Sequence, residues 1–173
     1  MTQRVFGITG WKNSGKTTLT ERLVTEFTRR GFAVSTIKHA HHAFDIDKDG
    51  TDSFRHRAAG AREVAIVSEG RWALMHELRD EQEPSLQQIL SRLGACDLVL
   101  IEGYKREAHR KIETRRSAAR DTAPLSANDP AIVAVASDHA EPGETLPVFG
   151  IDDVAAIADF IAHTTGLPAK SLP

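Results

Sequence analysis

Short apolar runs alternate with amphipathic stretches along the chain. Val5 to Thr9 is a strand-like run. Behind it Leu19, Leu23, Val24 and Phe27 fall at i, i+4, i+5 and i+8, one apolar stripe of a helix. Arg29-Arg30-Gly31 supplies a basic last turn and a glycine stop. Phe32 to Ile37 predicts a second strand, Lys38 to Gly50 a polar loop, and Thr51 to Ala59 a short helix ending at Gly60. Val64 to Val67 and Trp72 to His76 flank Ser68-Glu69-Gly70-Arg71, which predicts a hairpin with a four-residue loop. Ser85 and Gln88 have capping-box spacing, ahead of an inward face of Leu86, Ile89, Leu90 and Leu93 that stops at Gly94. Leu98 to Ile101 is an unbroken apolar run, the pattern of a strand covered on both faces. Ile132 to Val135 and Val148-Phe149 predict later strands. Asp152 opens a last helix with Val154, Ile157, Ala158 and Ile161 inward. Strands alternating with helices predict an α/β fold with a largely parallel sheet and right-handed crossovers.

Composition narrows the function classes. The 173 residues suit one domain, 1–173, and 40% hydrophobic with 27% charged residues is an ordinary globular mix. A formal charge of −2 gives no general electrostatic case for nucleic acid. The single cysteine, Cys96, makes neither an intramolecular disulfide nor a multi-cysteine zinc site. Apolar runs fall short of the roughly 18 residues of a membrane helix, and no signal-peptide pattern opens the chain. The expectation is a soluble protein of the cytoplasm. Charge is uneven: residues 104–121 carry seven Lys or Arg against three Asp or Glu with few apolar positions, which predicts an exposed basic arm or loop.

The chemistry begins at Gly10 to Thr17, which satisfies G-x-x-x-x-G-K-[ST] after a strand and at the opening of a helix. Gly10 and Gly15 let successive N–H groups point into one cavity, and the helix adds its positive end. Lys16 is placed to reach β- and γ-phosphates, and the Thr17 hydroxyl to bind the bridging Mg²⁺. The motif predicts a P-loop NTPase three-layer sandwich, a mostly parallel sheet with helices on both faces. Leu98 to Gly103 looks like a Walker B strand with Glu102 in place of Asp, a second ligand for Mg²⁺.

Lys38 to Gly50 holds His39, His41, His42, Asp45, Asp47 and Asp49. Three readings compete: a loop near the γ-phosphate with Asp45 or Asp47 assisting Mg²⁺, a transition-metal site, and a solvated loop. Its Asp-rich half fails the EF-hand pattern, because His56 stands where the twelfth-position Glu belongs. Trp11 is placed to stack on a ligand or to cover the first helix. Asp138, after the Ile132 to Val135 strand, stands where a carboxylate could pair with guanine, and a turn aspartate fits equally well.

Gly10 to Leu19, Ile37 to His42, Asp45 to Ser53, Arg71 to Met75 and Ile101 to Lys105 together resemble the MobB family of molybdopterin-guanine dinucleotide biosynthesis adaptor proteins. The resemblance runs from about Val5 to the basic segment and resumes at 129–138 and 146–161. It implies a homodimer that binds GTP with Mg²⁺, hydrolyses it weakly, and assists the guanylyltransferase joining GMP to molybdopterin, with molybdopterin itself a further ligand. It maps the family's phosphate-loop positions onto Gly10, Asn13, Ser14, Gly15, Lys16, Thr17 and Thr18, its second-strand loop onto His39, His41, His42, Asp45 and Asp47, and its Walker B position onto Glu102.

No N-K-x-D string is present, so GTP over ATP rests on the resemblance. Neither a water-positioning Gln nor an arginine finger is identifiable, which predicts turnover on the order of 10⁻⁴ to 10⁻³ s⁻¹. Two rivals remain. One is a small-molecule kinase with Tyr104 to Arg120 as an Arg-rich lid and Asp45 or Asp47 as base. The other is a nucleotide-gated scaffold without turnover. Lys105, Arg106, Arg110, Lys111, Arg115 and Arg116 form either a surface that attracts a pterin phosphate or an acidic partner, or a solvated, salt-bridged arm. On the first reading, reversing the charge of Arg115 and Arg116 weakens partner or pterin binding and spares GTP.

Overall fold

The computed structural model describes residues 3–40 and 44–169. They form two compact units, 1–39 with 92–173 and 40–91. No helix among the described residues is long and apolar enough to cross a membrane.

The first unit is built on a six-stranded sheet. In chain order its strands are β1 (Val5–Gly10), β2 (Val34–Lys38), β5 (Leu98–Glu102), β6 (Lys111–Arg115), β7 (Ile132–Ser137) and β8 (Val148–Gly150). Their order across the sheet is β2-β5-β1-β6-β7-β8, with every pairing parallel. Helices α1 (Lys16–Arg29) and α4 (Val154–Thr165) pack beside one another and against β1. Their stripes, Leu19, Leu23 and Phe27 with Ile157, Ala158 and Ile161, join Phe6, Ile8, Leu100 and Ile112 of the sheet in one buried core. Truncating one such Phe to Ala costs about 3–5 kcal/mol. α1 ends as its sequence predicts: the Phe32 amide donates to Phe27 O at 3.0 Å, the Gly31 amide donates to Thr28 O at 2.9 Å, and the Phe27 and Phe32 rings meet edge to face.

The opposite face of β6 corrects the expectation of an exposed basic arm or loop over 104–121 for the five residues 111–115, although 106–108, 110, 117, 118, 120 and 121 are exposed. All five residues of Lys111–Arg115 are buried. Alternation along the strand explains this. Ile112 joins the helix-side core, while Lys111, Glu113 and Arg115 point into connecting loops whose backbone polar groups need partners. Lys111 donates to Lys105 O at 2.9 Å and to Asp129 at 2.6 Å. Glu113 accepts from the Leu125 and Ser126 amides at 2.8 and 3.1 Å. Arg115 donates to Glu113, Ser126 and Glu144 at 2.8 Å each and to Glu141 at 2.9 Å. Despite burial, these carboxylates hold its guanidinium above the ordinary arginine value. The charges of Lys111, Glu113 and Arg115 are the internal ties of a loop layer, while Arg106, Arg110 and Arg120 are exposed.

The connection 103–110 runs from β5 past β1 to β6 without a helix, and Gly7 makes room for it. A Cβ on Gly7 would lie 2.5 Å from His109 Nε2.

The second unit holds α2 (Asp52–Ala58) and the antiparallel pair β3 (Glu63–Ser68) and β4 (Arg71–His76). Ser68 pairs with Arg71, so the hairpin loop is Glu69-Gly70, two residues rather than the expected four. Val64 and Met75 face each other across the ladder and are buried. On the other face Val67 pairs with Trp72 and Ala65 with Leu74, and Val67 and Trp72 are more than 70% exposed. α3 (Leu86–Arg92) starts at the predicted capping box: the Ser85 amide donates to Gln88 Oε1 at 2.8 Å, and the Gln88 amide to Ser85 Oγ at 3.3 Å.

Candidate nucleotide site

β1 lies between β5 and β6, and the chain leaves it toward β2 on one side before returning to β6 on the other. Its carboxyl end is thus a topological switch point, where open α/β sheets take ligands. There the loop 10–15 turns through positive φ at Gly10 (147°), Asn13 (66°) and Gly15 (93°). Gly10 is required by space as well as by conformation. A Cβ there would lie 2.5 Å from Thr114 Oγ1 and 2.7 Å from Thr114 O. The loop is braced from β6, since Ser14 Oγ and Thr114 Oγ1 are 2.7 Å apart and Thr114 also donates to Thr9 O at 3.1 Å.

α1 follows directly, with Gly15 as its N-cap, no side-chain cap and no acidic residue in its first turn. Its first N–H groups are therefore not taken by a protein side chain, and they lie at the positive helix end. That is the arrangement that holds a phosphate.

Lys16 Nζ donates to Trp11 O at 2.7 Å, folded back over the loop. Burial lowers its pKa from the ordinary lysine value; Glu102 opposes this, and Lys105 and Lys38 add to it. Thr17 Oγ1 donates to Glu102 Oε1 at 2.8 Å, and Lys38 Nζ lies 3.4 Å from the same oxygen. Glu102 is 8% exposed at the end of β5. A hydroxyl and a carboxylate, both hard oxygen donors, fit Mg²⁺ at this point. Gly103 then turns at φ 94°, where a Cβ would press 3.2 Å from His39 Cβ. The His39 amide donates to Glu102 O at 3.0 Å, and the His39 ring lies against Tyr104 at 4.6 Å between centroids. Gly10, Asn13, Ser14, Gly15, Lys16, Thr17, Thr18, His39 and Glu102 are thus gathered in and around one end of the sheet.

Trp11 is a brace. Its Nε1 donates to Ala123 O at 2.7 Å, and Lys105 Nζ sits 4.2 Å over its ring. Asp138 lies just beyond β7, with its carboxylate accepting from the Ser117 amide at 2.9 Å and lying 2.7 Å from His139 Nδ1. His139 and Ser117 hold its carboxyl below the usual aspartate range. Asp45 and Asp47 belong to the second unit, where both meet Arg57. Asp47, only 3% exposed, is bonded by two guanidinium nitrogens, which lower its pKa; Asp45 is 68% exposed. His41 and His42 lie outside the described residues. No group of three or more metal-ligating side chains occurs among the described residues. Thr114 lies in no sequence motif, and Lys38 enters the sequence reading only as the first residue of the Lys38 to Gly50 loop and within the Ile37 to His42 stretch. Their pairing with the loop and with Glu102 follows from strand adjacency alone.

The family described as molybdopterin guanine dinucleotide synthesis protein B matches residues 5–138. The molybdopterin-guanine dinucleotide biosynthesis adapter protein of Escherichia coli K12 is 38% identical over 92% of this chain and 91% of its own length. That of Haemophilus influenzae is 40% identical over 92% of this chain and 88% of its own length. The crystal structure of a MobB protein homologue from Bacillus stearothermophilus superposes with a TM-score of 0.70 at 29% identity, covering 96% of this chain and 100% of that one. With the P-loop, the strand order and the Ile-Glu-Gly-Tyr-Lys string all in place, the chain belongs to the MobB family, molybdopterin guanine dinucleotide synthesis protein B.

Proposed function

We propose that the first unit binds GTP with Mg²⁺ in the Gly10–Thr17 loop and hydrolyses it slowly, and that the chain thereby assists the guanylyltransferase that joins GMP to molybdopterin. The setting, biosynthesis of molybdopterin guanine dinucleotide, is that of its family. The observation that carries the nucleotide reading is the uncapped start of α1 beside the Thr17–Glu102 pair. Loop and helix N–H groups would hold the phosphates. Lys16, released from Trp11 O, would neutralise them. Thr17 and Glu102 would hold Mg²⁺, which when bound stabilises charge on the phosphate oxygens.

Slow turnover agrees with the site. Asp47 is already saturated by Arg57 and is poorly suited to act as a base. Asp45 is the more available of the two carboxylates. The kinase reading is weakened, because its Arg-rich lid included Lys111 and Arg115, which are strand residues. Asp138 is the carboxylate that would select guanine, after release from His139.

A homodimer is the assembly the family resemblance implies. The outer face of β3 and β4, with Val67, Trp72 and Leu74 exposed on a two-stranded ladder, is the apolar surface a second copy would cover.

Thermal unfolding with Mg²⁺ and GTP or ATP tests the nucleotide reading. Ligand at about 100 times its Kd should add about 2.7 kcal/mol, and Lys16→Ala should abolish the shift. Equal shifts for GTP and ATP would remove the guanine assignment, and no shift with either would remove nucleotide binding.

A further inference from the structure

Arg116 stands out among the arginines near the site. It follows β6 directly, two residues beyond Thr114, the register partner of Gly10. A Cβ built on Gly15 would lie 2.7 Å from Arg116 Nε and 3.1 Å from its Cζ, so the guanidinium lies against the N-cap of α1. Its Nε is buried and has no hydrogen-bond partner, and the side chain makes no ion pair among the described residues. The neighbouring carboxylates are committed elsewhere. Glu113 and Glu141 bind Arg115, and Asp121 accepts from the Ala123 amide. Arg116 also lines a narrow cavity beside the loop, together with Trp11, Ser14, Thr114 and His139.

Arg116 as a whole is only partly buried, but a guanidinium whose Nε is buried with no acceptor and no counter-ion is unfavourable. Placed beside a helix start and a main-chain nest that attract anions, it shares their ligand. We propose that Arg116 is a second phosphate-gripping cation of the nucleotide site, reaching the phosphate chain from the end of β6 while Lys16 reaches it from α1. The proposal rests on the nucleotide-binding reading above and deepens it. Arginine suits the task because its planar fork can pair with two phosphate oxygens at once. It also replaces the expectation that charge reversal at Arg116 would spare GTP.

The test uses the full chain with Mg²⁺ and two probes, GTP and inorganic tripolyphosphate, which has no base. Arg116→Ala should weaken both by about tenfold or more, the scale of a lost charge-assisted hydrogen bond. Arg116→Lys should recover part of that loss, since it keeps the charge and loses the fork. The nucleotide-free melting temperature of each variant reports whether the fold is intact, and Arg116→Gln serves if the alanine variant is unstable. Unchanged affinity in a folded variant would overturn the proposal. So would loss for GTP alone with tripolyphosphate unaffected, which marks a base contact. If the unmodified chain binds GTP and Arg116→Ala binds it equally well, only this inference falls; if the unmodified chain binds neither probe, the nucleotide reading itself falls.

Discussion

Thr17 and Glu102 share a hydrogen bond of 2.8 Å that ties the first turn of α1 to the last residue of β5. The two residues are far apart in sequence, and the bond exists because β5 lies beside β1, with Glu102 in register with Ile8. It sets a hydroxyl and a carboxylate together where the phosphate loop opens.

This pairing predicts a metal-specific defect. Glu102→Gln keeps the size and can still accept from Thr17, but it removes the charge that draws a divalent cation. Titration of Mg²⁺ at fixed GTP should need about tenfold more metal, while GTP binding without Mg²⁺ should hold or improve as a negative charge leaves the site. An unchanged Mg²⁺ requirement would exclude Glu102 as a ligand.

Arg115 tests the loop layer. Its side chain is 8% exposed and ties Glu113, Glu141 and Glu144 together. Arg115→Ala strands these carboxylates and should destabilise the fold by about 3–5 kcal/mol in denaturant titration. Arg110→Ala, at an exposed position, should change stability by less than about 0.5 kcal/mol. Similar small effects at both positions would restore the picture of a solvated arm.

His109 makes stability depend on pH. Burial lowers its pKa from 6.5 to about 4, with Lys111 adding to the effect and Asp129 opposing it, and neither ring nitrogen has a partner among the described residues. Between those values the unfolded chain binds more protons than the folded one. The contribution is therefore complete above pH 6.5 and is lost as pH falls toward 4. His109→Gln should flatten that part of the stability curve. A wild-type slope persisting in the variant would assign it to other groups.

Asp47 separates a structural from a chemical role. Arg57 grips it at 2.6 and 3.2 Å. Asp47→Asn should loosen the second unit, seen as faster amide exchange in α2, with single-turnover GTP hydrolysis changed by less than about twofold. A selective loss of hydrolysis with unchanged exchange would return Asp47 to the catalytic set.

The most legible parts of the sequence were those whose physics is local. The phosphate loop needs its glycines, lysine and threonine at fixed spacing on contiguous chain. The end of α1 at Gly31 and the capping box at Ser85 and Gln88 likewise close within a few residues. The strand could be read at Leu98 to Ile101 because both its faces are apolar there. Lys111–Arg115 could not, because a strand that buries Lys, Glu and Arg looks like a surface segment until Asp129, Glu141 and Glu144 arrive from later in the chain.

By itself, then, the sequence determined the α/β class, the anion-binding loop and the family to which it belongs. Each rests on backbone conformation or side-chain spacing within a short stretch. Only the tertiary structure decided that Lys111–Arg115 within the basic segment is an interior strand, that Thr114 braces the loop, that Asp47 is paired with Arg57, and that Arg116 lies against the start of α1. A charge is costly to bury until its counter-ion is beside it, and which residue that is depends on strand order and long-range register.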